Sequence, residues 1–162
     1  MFRLTNYQIK GNIIYRNNNN RYYLKFFFQQ YKPHEYRFIL TNLFGFKELD
    51  IHITKKITKI IDRNGNQYSS IREMTKNNNL FNINIPLQML PYWFKGIPIN
   101  PLSYMINHHG LLSNIVYKNR QNIFIIKYDG YSQQDIFKLP NNIKIKYKYN
   151  VITFKIYTWI LE

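Results

Sequence analysis

A β-strand sends successive side chains to opposite faces, so a stretch that alternates apolar and polar residues has few other ways to bury its apolar half. The stretch Tyr36 to Ile53, YRFILTNLFGFKELDIHI, alternates twice. Tyr36, Phe38 and Leu40 share one side of the first arm, and Leu49, Ile51 and Ile53 share one side of the second. Two such arms around a short connection predict a β-hairpin. The connection, Asn42 to Lys47, holds the Asn and Gly that a turn needs, yet it places Leu43, Phe44 and Phe46 where polar residues normally sit. An apolar tip between two half-buried strands predicts a probe for an apolar environment.

The remaining chain offers further strands. Tyr7 to Tyr15 reads as one, and Asn17 to Asn20 as a turn. Arg21 to Tyr31, RYYLKFFFQQY, alternates Tyr22, Leu24, Phe26 and Phe28 against Tyr23, Lys25, Phe27 and Gln29, so both faces carry aromatics. A strand of that kind is expected to meet something apolar on each side. Thr58 to Ile61 is another strand, returned through Gln67 and Tyr68 by the turn signal Asn64-Gly65. Later strands are expected at Leu111 to Tyr117, Ile123 to Tyr128, Ile143 to Tyr149 and Val151 to Leu161. Turns are expected at Asn119 to Asn122, Asp129-Gly130, Pro140 to Asn142 and Asn150. In IKIKYKY, residues Ile143, Ile145, Tyr147 and Tyr149 point inward and the lysines into water.

Two helices interrupt the strands. Ser70 and Glu73 form a capping box, predicting a short helix from Ile71 to a stop at Asn77 to Asn79. Pro86 signals a second, with Leu87, Leu90, Trp93 and Phe94 on one stripe and Gly96 with Pro98 as its end. Pro91 removes a backbone donor, which predicts a late start or a kink. Many short strands joined by hairpin-length turns imply a mainly β chain with a few helices (α+β), an antiparallel sheet that curls, and helices packed on its concave side.

The chain of 162 residues is long enough for one domain with a real core, taken as residues 1–162, and 45% hydrophobic residues make it globular. No apolar run reaches the length of a membrane span. Absence of cysteine excludes disulfides, thiolate metal sites and cysteine nucleophiles. The net charge of +15 points toward anionic partners, but Asn, Ile, Lys and Tyr are inflated together, as A- and T-rich codons would produce, so much of the lysine has a compositional origin. Met1 is followed at once by domain-like sequence without a signal peptide's apolar core, which predicts either a cytoplasmic protein or one whose export segment lies outside this sequence.

A catalytic reading finds little support, and the chain reads as a non-enzyme without cofactor or metal. His108 and His109 are neighbours that an extended chain points apart, a poor metal pair. His52 alternates with Glu48 and Asp50 as a hydrated row. No nucleophile elbow, Walker loop or dinucleotide fingerprint occurs. Two binding readings stay open beside the probe: a generic carrier of hydrophobic ligands, and a single-stranded nucleic-acid module, which would use basic charge and aromatics on a curved sheet but lacks any RRM-type motif.

The segments YQIKGNIIY, FFFQQ with YRFILTNLFGFKEL, DRNGNQY, IPLQMLPYWFKGIP, IVYKNRQNIFIIKYDGY and VITFKIYTWILE, in this order, resemble the LolB family of outer-membrane lipoprotein receptors. The W-x-x-G-x-P element at Trp93 to Pro98, followed by a strand ending near Trp159, is the more specific part. That resemblance implies a curved antiparallel sheet forming an unclosed barrel, with helices covering an apolar cavity. It implies a protein that receives lipoproteins from a LolA-like periplasmic carrier, holds their acyl chains, and releases them into the inner leaflet of the outer membrane; separately, the chain is expected to be a monomer that binds no nucleic acid. Phe26, Phe28, Phe38, Leu40, Leu90, Trp93 and Phe94 are the candidate cavity lining. The family's hairpin loop carries an exposed leucine needed for delivery, and the T-N-x-x-G frame places Phe44 there, flanked by Leu43 and Phe46. By resemblance the location is the periplasmic face of the outer membrane, although the family's first helix, signal peptide and lipid-bearing cysteine have no counterpart in this sequence.

Overall fold

The computed structural model describes residues 4–18, 20–77 and 85–162. Six strands come first: β1 (Tyr7–Asn17), β2 (Asn20–Lys32), β3 (Glu35–Thr41), β4 (Lys47–Ile53), β5 (Thr58–Asp62) and β6 (Gln67–Tyr68). Helix α1 (Ile71–Asn77), a 3-10 turn (Leu87–Met89) and helix α2 (Leu90–Lys95) follow. Five more strands complete the chain: β7 (Ser103–Ile106), β8 (Leu112–Asn119), β9 (Asn122–Gln134), β10 (Phe137–Tyr147) and β11 (Asn150–Leu161). All eleven join one sheet in the order β6-β5-β4-β3-β2-β1-β11-β10-β9-β8-β7. Among the described residues β6 and β7 end this order unpaired with each other, so the sheet does not close into a barrel. The chain is thus mainly β with two short helices, as the alternation implied.

The chain packs as two compact units. The first comprises Met1–Asn12, Tyr23–Ile85 and Tyr157–Glu162. Its central hairpin brings the two alternating arms together, with Tyr36 opposite Ile53, Phe38 opposite Ile51 and Leu40 opposite Leu49. Aromatic rings fill its interior: Tyr7 lies 5.8 Å from Phe28 and 5.5 Å from Trp159, and Phe28 lies 5.0 Å from Tyr36. Helix α1 starts at Ile71 as predicted. Ser70 Oγ accepts from the Glu73 amide at 3.0 Å, while the Glu73 carboxylate reaches back to the amide and hydroxyl of Ser69 rather than to Ser70. Asn78 and Asn79, part of the expected stop, lie outside the described residues.

One expectation for β4 fails. The ladder slips between Leu40 and Thr41, where Leu40 faces Leu49 but Thr41 faces Lys47, and Glu48 is left without a cross-strand partner. Such a bulge turns a side chain out of the alternation. Glu48 is therefore buried, and only Asp50 and His52 remain of the hydrated row.

The second unit comprises Ile13–Tyr22 and Pro86–Ile156. Pro91 sits in the first turn of α2, where no donor is needed, so the helix starts late, at Leu90. Gly96 ends it with φ 73°, and the Ile97 amide returns to the Tyr92 carbonyl at 3.0 Å. Trp93 stands edge-on to Tyr117, Phe94 edge-on to Phe154, and the Tyr128 hydroxyl donates to the Trp93 carbonyl at 2.7 Å. Leu87, in the 3-10 turn and off the helical stripe, is only half-buried, whereas Met89 of the same turn is buried.

The later strands correct several boundaries. Ser103–Ile106 forms an edge strand, β7, for which no strand was expected. No turns occur at Asp129-Gly130 or Pro140 to Asn142; β9 and β10 run through both, and the chain reverses at Asp135, whose φ is 55°. The register slips around Pro140 and Asn142 instead, a bulge that tolerates the missing proline donor. Gly130 faces it across the ladder, and a Cβ there would collide with Asn141 Oδ1. Tyr149 does not point inward: it lies in the turn before β11 and is 80% exposed, while Ile143, Ile145 and Tyr147 are buried as expected.

Candidate functional site

Among the described residues, three loops share one backbone frame. In the β3–β4 loop, Asn42 Oδ1 accepts from the amides of Phe44 (2.9 Å) and Phe46 (3.1 Å), and the Gly45 amide donates to the Asn42 carbonyl (3.0 Å). In the β5–β6 loop, Asp62 Oδ1 accepts from the amides of Asn64 and Asn66, and the Gly65 amide donates to the Asp62 carbonyl. In the β7–β8 loop, Asn107 Oδ1 accepts from the amides of His109 and Leu111, and the Gly110 amide donates to the Asn107 carbonyl. The three glycines have φ of 89°, 84° and 79°, a region that side chains rarely adopt. An Asx side chain thus caps a turn that a left-handed glycine closes.

Only the side chains between those anchors differ. The β5–β6 loop carries Arg63, Asn64 and Asn66, and the β7–β8 loop carries His108, His109 and Leu111. The β3–β4 loop carries Leu43, Phe44 and Phe46, which are 63%, 87% and 68% exposed. The frame itself asks for nothing apolar, so the turn does not explain these three residues.

The tip is held from below. Asn42 Nδ2 donates to Glu48 Oε1 at 3.1 Å, with Arg63 Nε 4.0 Å from Glu48 Oε2. On the other face of the hairpin, Arg37 grips Asp50 through two hydrogen bonds of 3.1 and 2.8 Å, and Lys47 Nζ lies 3.3 Å from the same carboxylate. The Arg37 guanidinium above all holds the Asp50 carboxyl below its ordinary value. Asn42 and Glu48 went unrecognised as supports in the sequence; the recurrent Asx-x-x-Gly spacing was the signal that could have found Asn42, whereas nothing local marks Glu48.

The candidate cavity residues are all buried. In the first unit Phe26, Phe28, Phe38 and Leu40 come together: Phe38 lies 6.0 Å from Phe26 and 6.1 Å from Phe28, and Leu40 faces Phe26 across the ladder. Leu90, Trp93 and Phe94 belong to the second unit, on α2. Beside them, burial pushes the Lys95 ammonium down to about 8. Among the described residues no group of three or more His, Cys, Asp or Glu is placed to hold a metal ion.

A family model described as "Outer membrane lipoprotein LolB" matches residues 5–159. The Outer-membrane lipoprotein LolB of Serratia proteamaculans is 28% identical over 160 residues, covering 99% of this chain and 77% of its own length. That of Photorhabdus laumondii is 29% identical over 157 residues, covering 97% and 76%. The crystal structure of a LolA superfamily protein from Nitrosomonas europaea aligns over 99% of this chain and 88% of its own, with a TM-score of 0.49 and 9% identity. With the family model matching almost from end to end, this chain belongs to the LolB family.

Proposed function

We propose that the whole chain acts as a lipoprotein receptor of the outer membrane, accepting lipoproteins from a LolA-like periplasmic carrier and releasing their acyl chains into the inner leaflet. The observation that carries this reading is the tip: of the three described loops on one frame, the β3–β4 loop makes all three variable positions apolar, with Leu43, Phe44 and Phe46 exposed. Membership of the LolB family supports the same role.

An acyl chain in water costs about 0.8 kcal/mol per methylene, on the order of 10 kcal/mol for a fatty acid, so a receptor must keep it covered throughout. Two separate groups of buried side chains, Phe26, Phe28, Phe38 and Leu40 in the first unit and Leu90, Trp93 and Phe94 in the second, are the candidate linings, and either group would have to open to admit the acyl chain. The tip serves a separate step. Burying three side chains of this size gives roughly 4 to 8 kcal/mol if complete, and less at shallow depth, enough for transient docking without permanent residence. The test is transfer of a fluorescent triacylated lipopeptide, loaded on the protein, into liposomes. Transfer well above the spontaneous rate is expected; binding without transfer would leave only a hydrophobic-ligand carrier.

A further inference from the structure

The face of β2 that carries Lys25 and Phe27 is the reverse of the face that buries Phe26 and Phe28. A groove of about 360 Å³ crosses it, lined among others by Lys10, Lys25, Phe27, Ile39, Thr41 and Tyr157. Phe27 and Ile39 make its floor apolar, and Lys10 and Lys25 are among its lining residues. Lys10 Nζ lies 5.9 Å from the centre of the Phe27 ring, so the cation is held over the floor. Among the described residues no Asp or Glu lines the groove. Opposite Ile39 across the ladder is Asp50, whose carboxylate is already taken by Arg37 and Lys47. Thr41, paired with Lys25, is the last residue of β3 before the apolar loop, so the groove runs up to the base of the tip.

Cations beside an apolar floor fit a ligand with an anionic head and a hydrocarbon start, in a volume within the range of small-molecule sites. We infer that this groove takes the headgroup of one anionic phospholipid from the bilayer that the tip enters, its phosphate at Lys10 and Lys25 and its first chain segment over Phe27 and Ile39. The inference rests on the tip as a membrane contact only for bringing lipid within reach. The groove itself needs no insertion, so a water-soluble lipid tests it separately.

The probe is dihexanoyl-phosphatidylglycerol below its micellar concentration, titrated into the full chain and followed by calorimetry, with dihexanoyl-phosphatidylcholine and inorganic phosphate as comparators. Saturable binding of the anionic lipid is expected, with both comparators much weaker. A lysine at an anionic headgroup contributes about five-fold in affinity, so Lys10→Gln with Lys25→Gln should lower it roughly thirty-fold. Lys118→Gln with Lys127→Gln, two exposed lysines of β8 and β9, removes the same charge elsewhere and should change nothing. Thr41→Trp, which fills the groove without altering charge, should also abolish binding. Phe44→Ser should bind the soluble lipid normally even while its docking on phosphatidylglycerol vesicles fails, which separates this site from the tip. Equal binding of the two lipids, equal binding of free phosphate, or an equal loss in the Lys118 and Lys127 pair would overturn the assignment.

Discussion

Phe44 can be changed with little effect on the fold, which makes it the sharpest place to test how the tip works. The residue is 87% exposed, and its contribution to the loop is a backbone amide that any residue supplies to Asn42 Oδ1. Phe44→Ser should therefore shift folding stability by no more than about 0.5 kcal/mol. Entry into a bilayer is different, because nearly the whole ring moves from water into an apolar phase. Full burial of a phenylalanine gives about 1.5 to 3 kcal/mol, so the variant loses about 2 kcal/mol of docking, close to thirty-fold in partition. Phe44→Leu keeps most of that term and should transfer lipopeptide nearly as well as the natural protein. Phe44→Glu places a charge where the tip meets hydrocarbon and should fall below the serine variant. Transfer to liposomes, measured beside urea unfolding of the same samples, reads both quantities. Equal transfer by the serine and natural proteins would refute the docking role, and so would a loss of transfer that merely follows a drop in the unfolding midpoint.

Other consequences follow from the frame and the buried charges. Asn42→Ala removes two side-chain acceptances in the loop and the amide that Glu48 uses, so it should lower stability by about 1 to 2 kcal/mol in urea and weaken transfer although the apolar tip is untouched. Gly96 and Gly110 share a left-handed φ, yet a Cβ at Gly96 would press on Pro140 and Tyr131 at 3.3 Å while one at Gly110 meets nothing. Gly96→Ala should therefore lose more stability than Gly110→Ala, each losing at least about 1 kcal/mol to strain. Because the Lys95 proton is bound more weakly in the folded chain, with its ammonium lowered to about 8, the unfolded chain holds more protons between about pH 8 and 10 and stability should rise across that window. Lys95→Met should flatten that rise in a series of thermal midpoints; an unchanged slope would assign it to other groups. Asp50 behaves in the opposite range: its carboxyl is held low by Arg37, so its stabilisation is complete above its ordinary value near 3.8 and fades as pH falls through the lower folded value. Asp50→Asn should lose less stability than the natural protein between pH 5 and 2.5.

Strand identity was legible in the sequence wherever burial on one face imposed a period of two. That Tyr36, Phe38 and Leu40 share one side of β3, and Leu49, Ile51 and Ile53 one side of β4, followed from that rule, since a slip of one residue would have turned every one of them into water; which of them face each other came from the structure. Helix α2 was partly local: the side chain that Gly96 lacks marked its end, while Pro86 signals its start and Pro91 leaves a late start or a kink open. The structure makes Leu87–Met89 a 3-10 turn, with the helix from Leu90. The exposed apolar tip also showed in the sequence, because Leu43, Phe44 and Phe46 lie outside both alternating arms.

What the sequence alone could not decide were the departures from alternation and the groupings of distant residues. A bulge has no composition of its own, so the burial of Glu48 and the passage of β10 through Pro140 emerged only from the partner strands' register. Asp129-Gly130 has the local chemistry of a turn, but pairing along β9 and β10 overrode it, and the glycine serves the crowded bulge opposite. Likewise the aromatics on both faces of β2 could be read as apolar contact on two sides. That one face is packed core while the other, with Lys10 and Lys25, is an open cationic groove depends on which strands lie beside it, and that is settled by tertiary pairing rather than by any local preference.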